Sequence, residues 1–157
     1  TTSAGERCAL LLIDLDHFKA VNDRFGHPVG DEVLRVLASR LKATYLSNCF
    51  AARLGGDEFV LLVTDQALLK DLSGMLRRLL SELQYSVSSN GVTLAVSATI
   101  GACWLGGEVT DRGQLLRNAD KALYEAKRKQ RGSAMVAGRA ELIVSGAPDL
   151  PSLRLIK

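Results

Sequence analysis

Residues 50–64 read FAARLGGDEFVLLVT. Two apolar segments, Phe50 to Leu54 and Glu58 to Thr64, flank Gly55-Gly56. That is the pattern of a β-hairpin turning on residues that tolerate positive φ. A hairpin in mid-chain argues against an all-parallel sheet, because parallel neighbours need long crossovers. Upstream, Cys8-Ala9-Leu10-Leu11-Leu12-Ile13 is an unbroken apolar run closed by Asp14. It is too short for a helix and reads as a strand buried on both faces. Asp16 is placed to cap a helix running to about Phe25. Gly26-His27-Pro28 interrupts it, and a second helix from about Val29 to Ala43 carries Val33, Leu34, Leu37 and Leu41 on one stripe.

Downstream of the hairpin, Leu68, Leu72, Met75, Leu76, Leu79 and Leu83 recur at helical spacing. Asn90-Gly91 predicts a turn, Val92 to Cys103 one long strand, and Gly106-Gly107 another turn. Leu115, Ala119, Ala122, Leu123 and Ala126 predict a last amphipathic helix ending in Lys127-Arg128-Lys129, with a weak strand near Ala134 to Ala137. The order β-α-α-β-β-α-β-α-β predicts an α+β fold: a mostly antiparallel central sheet flanked by helices.

The 157 residues suit one compact domain, and 47% hydrophobic residues with a net charge of +3 exclude a disordered chain. No apolar run approaches the roughly 18–20 residues of a membrane span, and no signal-peptide pattern opens the chain. The charge is too small and scattered to indicate nucleic-acid binding. Cys8, Cys49 and Cys103, odd in number and widely spaced, form neither a disulfide framework nor a zinc pattern. They predict reduced thiols and a cytoplasmic location. The domain is expected over residues 1–137. Residues 138–157, with two prolines and no clear period, read as an extension or linker.

Asp14 and Asp16 stand at the end of the buried strand; Asp57 and Glu58 stand just past the Gly-Gly turn. Singly, each acid reads as a solvated strand end. As two pairs interrupting apolar sequence, they read as hard oxygen ligands for Mg²⁺ or Mn²⁺, with substrate phosphates completing the shell. Clustered carboxylates without a cation repel one another, which raises their pKa values. The segment after Asp16 starts a helix whose free N–H groups suit phosphate, and Lys19 adds a point charge. Lys127 and Arg131 share a face if the last helix continues through both.

Arg53-Leu54-Gly55-Gly56-Asp57-Glu58-Phe59 resembles the signature loop of GGDEF-domain diguanylate cyclases. Around it, Asp14-Leu15-Asp16-His17-Phe18-Lys19 is similar to that family's D-x-D-x-F-K element. Asn22-Asp23, Gly26-His27 and Gly30-Asp31 fall at the family's spacing. Thr99-Ile100-Gly101 resembles its S-I-G strand, and Ala119 to Lys127 its A-D-x-A-L-Y-x-A-K helix. The resemblance runs from about Ala9 to Arg131. It implies a fold related to the polymerase palm and class III nucleotide cyclases, and condensation of two GTP into cyclic di-GMP with release of two pyrophosphates.

Position by position, the resemblance implies that Asp14, Asp57 and the Leu15 carbonyl hold the metals, with Glu58 assisting there. Asp57 and Glu58 are then the catalytic acids. Asn22 and Asp31 recognise guanine. The backbone around Phe18, the Gly55-Gly56 turn, Lys19, Lys127 and Arg131 hold the triphosphate. Because each domain holds one GTP, the reaction implies a homodimer.

Three departures qualify the match. Lys129-Gln130-Arg131-Gly132 stands where the family usually has G-R-N, so Arg131 is retained among different neighbours. Many members carry an inhibitory product site, R-x-x-D, whose positions are Leu46 and Cys49 here. The family's usual opening pattern, D-x-L-T-x-L-x-N-R, does not appear, so the chain is expected to be the catalytic part of a longer protein with an upstream sensor or dimerising segment. The competing reading is a non-catalytic GTP-binding module that regulates an attached domain such as a phosphodiesterase. Retention of Asp14, Gly55, Gly56, Asp57 and Glu58 favours the enzyme.

Overall fold

The computed structural model describes residues 7–89, 91–106 and 111–145. Strand β1 (Cys8–Leu15) leads into helices α1 (Phe18–Phe25) and α2 (His27–Arg40). A 3₁₀ turn (Thr44–Leu46) precedes the hairpin β2 (Cys49–Gly55) and β3 (Glu58–Val63). Helices α3 (Gln66–Leu69) and α4 (Leu72–Glu82) follow, then β4 (Tyr85–Ser89), β5 (Val92–Val96), β6 (Ala98–Leu105), α5 (Arg112–Lys129) and β7 (Ala134–Val136).

The main sheet has five strands in the order β2-β3-β1-β6-β7, and β4-β5 form a separate hairpin. Only the β6–β7 pair is parallel among the described strands. β1 lies at the centre, with Leu12 opposite Val60 on one side and Gly101 on the other. This is the expected α+β architecture.

The period of two in β1 divides the core. Ala9, Leu11, Ile13 and Leu15 face α1, α2 and α4 in the larger cluster, with Val21, Leu37, Leu76 and Leu79. Leu10 and Leu12 face Leu115, Ala119 and Leu123 of α5. Burying one Leu or Ile side chain is worth about 1.5–3 kcal/mol, so the central strand is held firmly from both sides.

Two local expectations differ from the structure. The long strand expected over Val92 to Cys103 is broken at Ser97, whose backbone carbonyl accepts the Asp16 N–H at 3.0 Å. Its first half, β5, pairs instead with β4, a strand too short and serine-rich to stand out in the sequence. The helix expected from Leu68 to Leu83 is two helices, because Asp65 caps α3 and Asp71 caps α4 with their side chains. The element order therefore gains two strands and a helix over the expected one.

Residues past β7 turn back along it: Ile143 exchanges backbone hydrogen bonds with Ala134 and is buried. Residues 1–6 and 146–157, and with them the ends of the expected domain and extension, lie outside the described residues, as do Asn90 and Gly107 of the two expected turns.

Candidate active site

The site forms where β1 ends. Asp14 has the same parity as Leu10 and Leu12 and so faces α5. Along α5, Leu115, Ala119, Leu123 and Lys127 follow at intervals of four. The first three pack on the sheet. The fourth carries its ammonium to Asp14 Oδ2 in an ion pair. The stripe that docks the helix thus also aims the lysine.

On the other side, Asp14 lies opposite Glu58 in the β1–β3 register, and the Leu15 N–H donates to the Asp57 carbonyl at 3.2 Å. The hairpin tip is thereby tied to the end of β1, and Asp57 is brought beside Asp14. Gly55 and Gly56 have φ of 146° and 52°, and the second is a left-handed conformation that favours glycine. Arg53 holds the turn by donating Nε and Nη2 to the Gly56 carbonyl at 3.0 and 2.6 Å. The sequence did not single out this clamp, which pairs the arginine with backbone.

Asp14 is 6% exposed, and its Oδ1 is buried with no hydrogen-bond partner among the described residues. Burial pushes its pKa up to about 6; the Lys127 hydrogen bond pulls it down, and the nearby Asp57 charge raises it further. The repulsion expected from the sequence is therefore present, though desolvation is its larger companion.

A divalent cation fits here. It would satisfy the orphan oxygen and relieve the Asp14–Asp57 repulsion. Among the described residues, no three His, Cys, Asp or Glu side chains gather into a preformed ion site. Glu58 is exposed and is not drawn into a triad with Asp14 and Asp57.

Asp16 plays a different part from the one expected. It does not cap α1, whose preceding residue His17 is left-handed at φ 60° and makes no side-chain cap. Instead Ser97 Oγ donates to Asp16 Oδ2 and Thr99 Oγ1 to Oδ1, both at 2.6 Å. The Gly132 N–H donates in turn to Thr99 Oγ1 at 2.9 Å. This latch joins the end of β1, the start of β6 and the turn after α5. Only the polar pair Ser97 and Thr99 in an apolar run hinted at it. With Asp16 so occupied, the first-turn amides of α1 have no side-chain cap, which leaves Phe18 and its neighbours suited to phosphate.

α5 ends at Lys129, so Arg131 does not continue the Lys127 face as expected. It leaves the helix and approaches Asp16 Oδ1 at 3.7 Å. Lys127 and Arg131 nonetheless both reach the strand-end acids. Lys19 is turned outward, paired with Asp23 at 3.2 Å with its side chain 91% exposed.

Asn22 and Asp31 border the α1–α2 junction. Asn22 Oδ1 is buried, with no partner among the described residues, directly against Gly30: a Cβ on Gly30 would lie 1.8 Å from it. Asp31 lines a cavity of about 460 Å³ between α2 and the β2–β3 hairpin, with Leu34, Arg53 and Phe59.

Two carboxylates and a Gly-Gly hairpin thus meet at the end of the central strand of an α+β domain, with cations from the last helix and the turn after it. A model of the family described as "Diguanylate cyclase, GGDEF domain" matches residues 2–133. The chain belongs to that family. It is 38% identical over 133 residues to the diguanylate cyclase TpbB of Pseudomonas aeruginosa, covering 84% of this chain and 31% of the relative. The crystal structure of the TpbB GGDEF domain superimposes with a TM-score of 0.74 at 36% identity, covering 85% of this chain and 84% of that one. The GGDEF domain of DgcB from Caulobacter crescentus, in complex with cyclic di-GMP, gives 0.75 at 28% identity, covering 87% and 81%. The chain spans about a third of the length of TpbB.

Proposed function

We propose that this domain condenses two GTP into cyclic di-GMP, releasing two pyrophosphates. The observation that carries the proposal is the Asp14 corner: a buried carboxylate with an unpartnered oxygen, a second acid delivered by the Gly-Gly turn, and a lysine aimed from α5. Such an arrangement is costly for a domain that only needs to fold.

Asp14, Asp57 and the Leu15 carbonyl would hold Mg²⁺ or Mn²⁺, which when bound polarises the α-phosphate and stabilises the leaving pyrophosphate. The remaining work falls to the chain. Lys127, Arg131, Lys19 and the amides around Phe18 neutralise and orient the triphosphate. The Gly55-Gly56 turn, without side chains, lets backbone approach the nucleotide. Asn22 and Asp31 select guanine, since an aspartate accepts from N1–H and N2–H₂, a donor pair that adenine lacks. Glu58, across the strand from Asp14, assists as an exposed carboxylate.

The 3′-hydroxyl of one GTP attacks the α-phosphate of the other, expelling pyrophosphate and losing its proton. The second half repeats the step and closes the ring. One GTP per domain makes two facing domains a requirement, so we assign a homodimer as the active form, with a cytoplasmic setting and pairing driven by segments upstream. Among the described residues no helix is long and apolar enough to cross a membrane.

The R-x-x-D product site is not part of this reading. Leu46 is packed in the core at 2% exposure, and Cys49 is a half-buried thiol. Neither binds guanine or phosphate as Arg and Asp do. Added cyclic di-GMP is expected to leave the turnover rate unchanged; tight inhibition competed by neither GTP nor metal would contradict this.

The test of the main proposal is incubation of the domain, fused to a dimerising segment, with GTP and Mg²⁺. Cyclic di-GMP that disappears in Asp57→Ala supports it. Tight GTP binding with no product under forced dimerisation would instead favour the regulatory module.

A further inference from the structure

We propose that Lys127 is a positioning residue that makes metal loading depend on nucleotide: its ammonium holds Asp14 until a triphosphate offers it another partner, and then gives way. The inference rests on the reading of Asp14 and Asp57 as metal ligands.

Its basis is the ion pair between Lys127 Nζ and Asp14 Oδ2. A buried carboxylate beside a second acid needs a cation, because its charge has lost the hydration that water would supply. Lys127 fills that need on one oxygen, while Oδ1 has no partner among the described residues. A divalent ion arriving alone must displace the ammonium from Oδ2 or bind beside a positive charge. An ion arriving with a triphosphate faces no such contest, because the phosphates receive the lysine.

The side chain has room for this change. It is 28% exposed, against 9% for the Asp14 side chain. The backbone of α5 is fixed below it by Leu115, Ala119 and Leu123, so only the flexible methylene stem has to swing. The neighbouring Arg131 is already engaged toward Asp16 and does not compete for Asp14.

The test measures Mn²⁺ binding by calorimetry or electron paramagnetic resonance, without nucleotide and with 3′-deoxy-GTP, which has no attacking hydroxyl. Lys127→Met and Lys127→Gln should bind Mn²⁺ alone about tenfold more tightly than the wild type, and the gain from adding 3′-deoxy-GTP should shrink by a similar factor. Equal affinity of wild type and both variants for Mn²⁺ alone would overturn the proposal.

Asp57→Asn separates this from the parent reading. If the Asp57→Asn variant binds Mn²⁺ as the wild type does, the metal assignment itself fails. A readout that needs no variant comes from nitrogen-detected NMR of the Lys127 ammonium. Its exchange with water should be slowed in the ligand-free chain, and its chemical shift should move on adding Mg²⁺ with 3′-deoxy-GTP as the partner changes from carboxylate to phosphate. A resonance indifferent to that addition would contradict the proposal.

Discussion

Two corners at the end of β1 hold acids two residues apart and treat them in opposite ways. At Asp16, both oxygens accept short hydrogen bonds from hydroxyls, and the network closes β1 onto β6 and the turn after α5. At Asp14, one oxygen has no partner among the described residues, a second acid stands nearby, and one lysine supplies the counter-charge. The lesson is that burial alone does not mark a functional carboxylate. Asp14 and Asp16 are similarly buried, at 6% and 7% exposure, and the difference lies in satisfaction. A satisfied acid builds the fold, while an unsatisfied one holds a place for something else.

The contrast is broken most severely at Asp16. Asp16→Ala strips a buried and a half-buried hydroxyl, Thr99 and Ser97, of their acceptor and should lower unfolding free energy by about 2–4 kcal/mol, read from the urea midpoint. Loss of less than about 1 kcal/mol would mean that the latch is ornamental.

Next in size is a pH effect confined to the Asp14 corner. Asp14 has a folded pKa of about 6, above its unfolded value, so between pH 6 and pH 4 the native state binds a proton that the unfolded chain does not. Its contribution to stability therefore grows as pH falls through that window, by about 1–2 kcal/mol. The difference in urea stability between wild type and Asp14→Asn, followed across the window in metal-free buffer, checks this; a flat difference would contradict it.

The smallest effect on stability belongs to the clamp on the hairpin. Arg53→Ala removes both hydrogen bonds to the Gly56 carbonyl, yet the turn is exposed. Stability should move by no more than about 1 kcal/mol, while cyclic di-GMP formation falls about tenfold as Asp57 loses its fixed position. Unchanged turnover would show that the turn needs no clamp.

Much of this contrast could be read in the sequence on one side only. The apolar run before Asp14 and the hairpin at Gly55-Gly56 were legible, because strand burial and turn chemistry are local. So was the gathering of Asp14 with Asp57, once the hairpin was laid beside the first strand. Asp16 was misread as a helix cap, since its partners Ser97 and Thr99 lie more than eighty residues away and no local rule connects them. The strand expected from Val92 to Cys103 breaks at that same long-range junction. The aim of Lys127 was half visible in its basic run. Its place on the packed stripe of α5 emerged only when that helix lay on Leu10 and Leu12.

The most direct measurement sets Asp14→Asn beside Asp16→Asn, each in the dimerised domain with GTP and Mg²⁺, at a temperature where both are folded. Asp14→Asn is expected to keep its fold and to lose cyclic di-GMP formation by on the order of 10³-fold. Asp16→Asn, though less stable, should retain product formation within about tenfold of wild type. Wild-type turnover by Asp14→Asn would contradict the assignment of that corner as the catalytic centre.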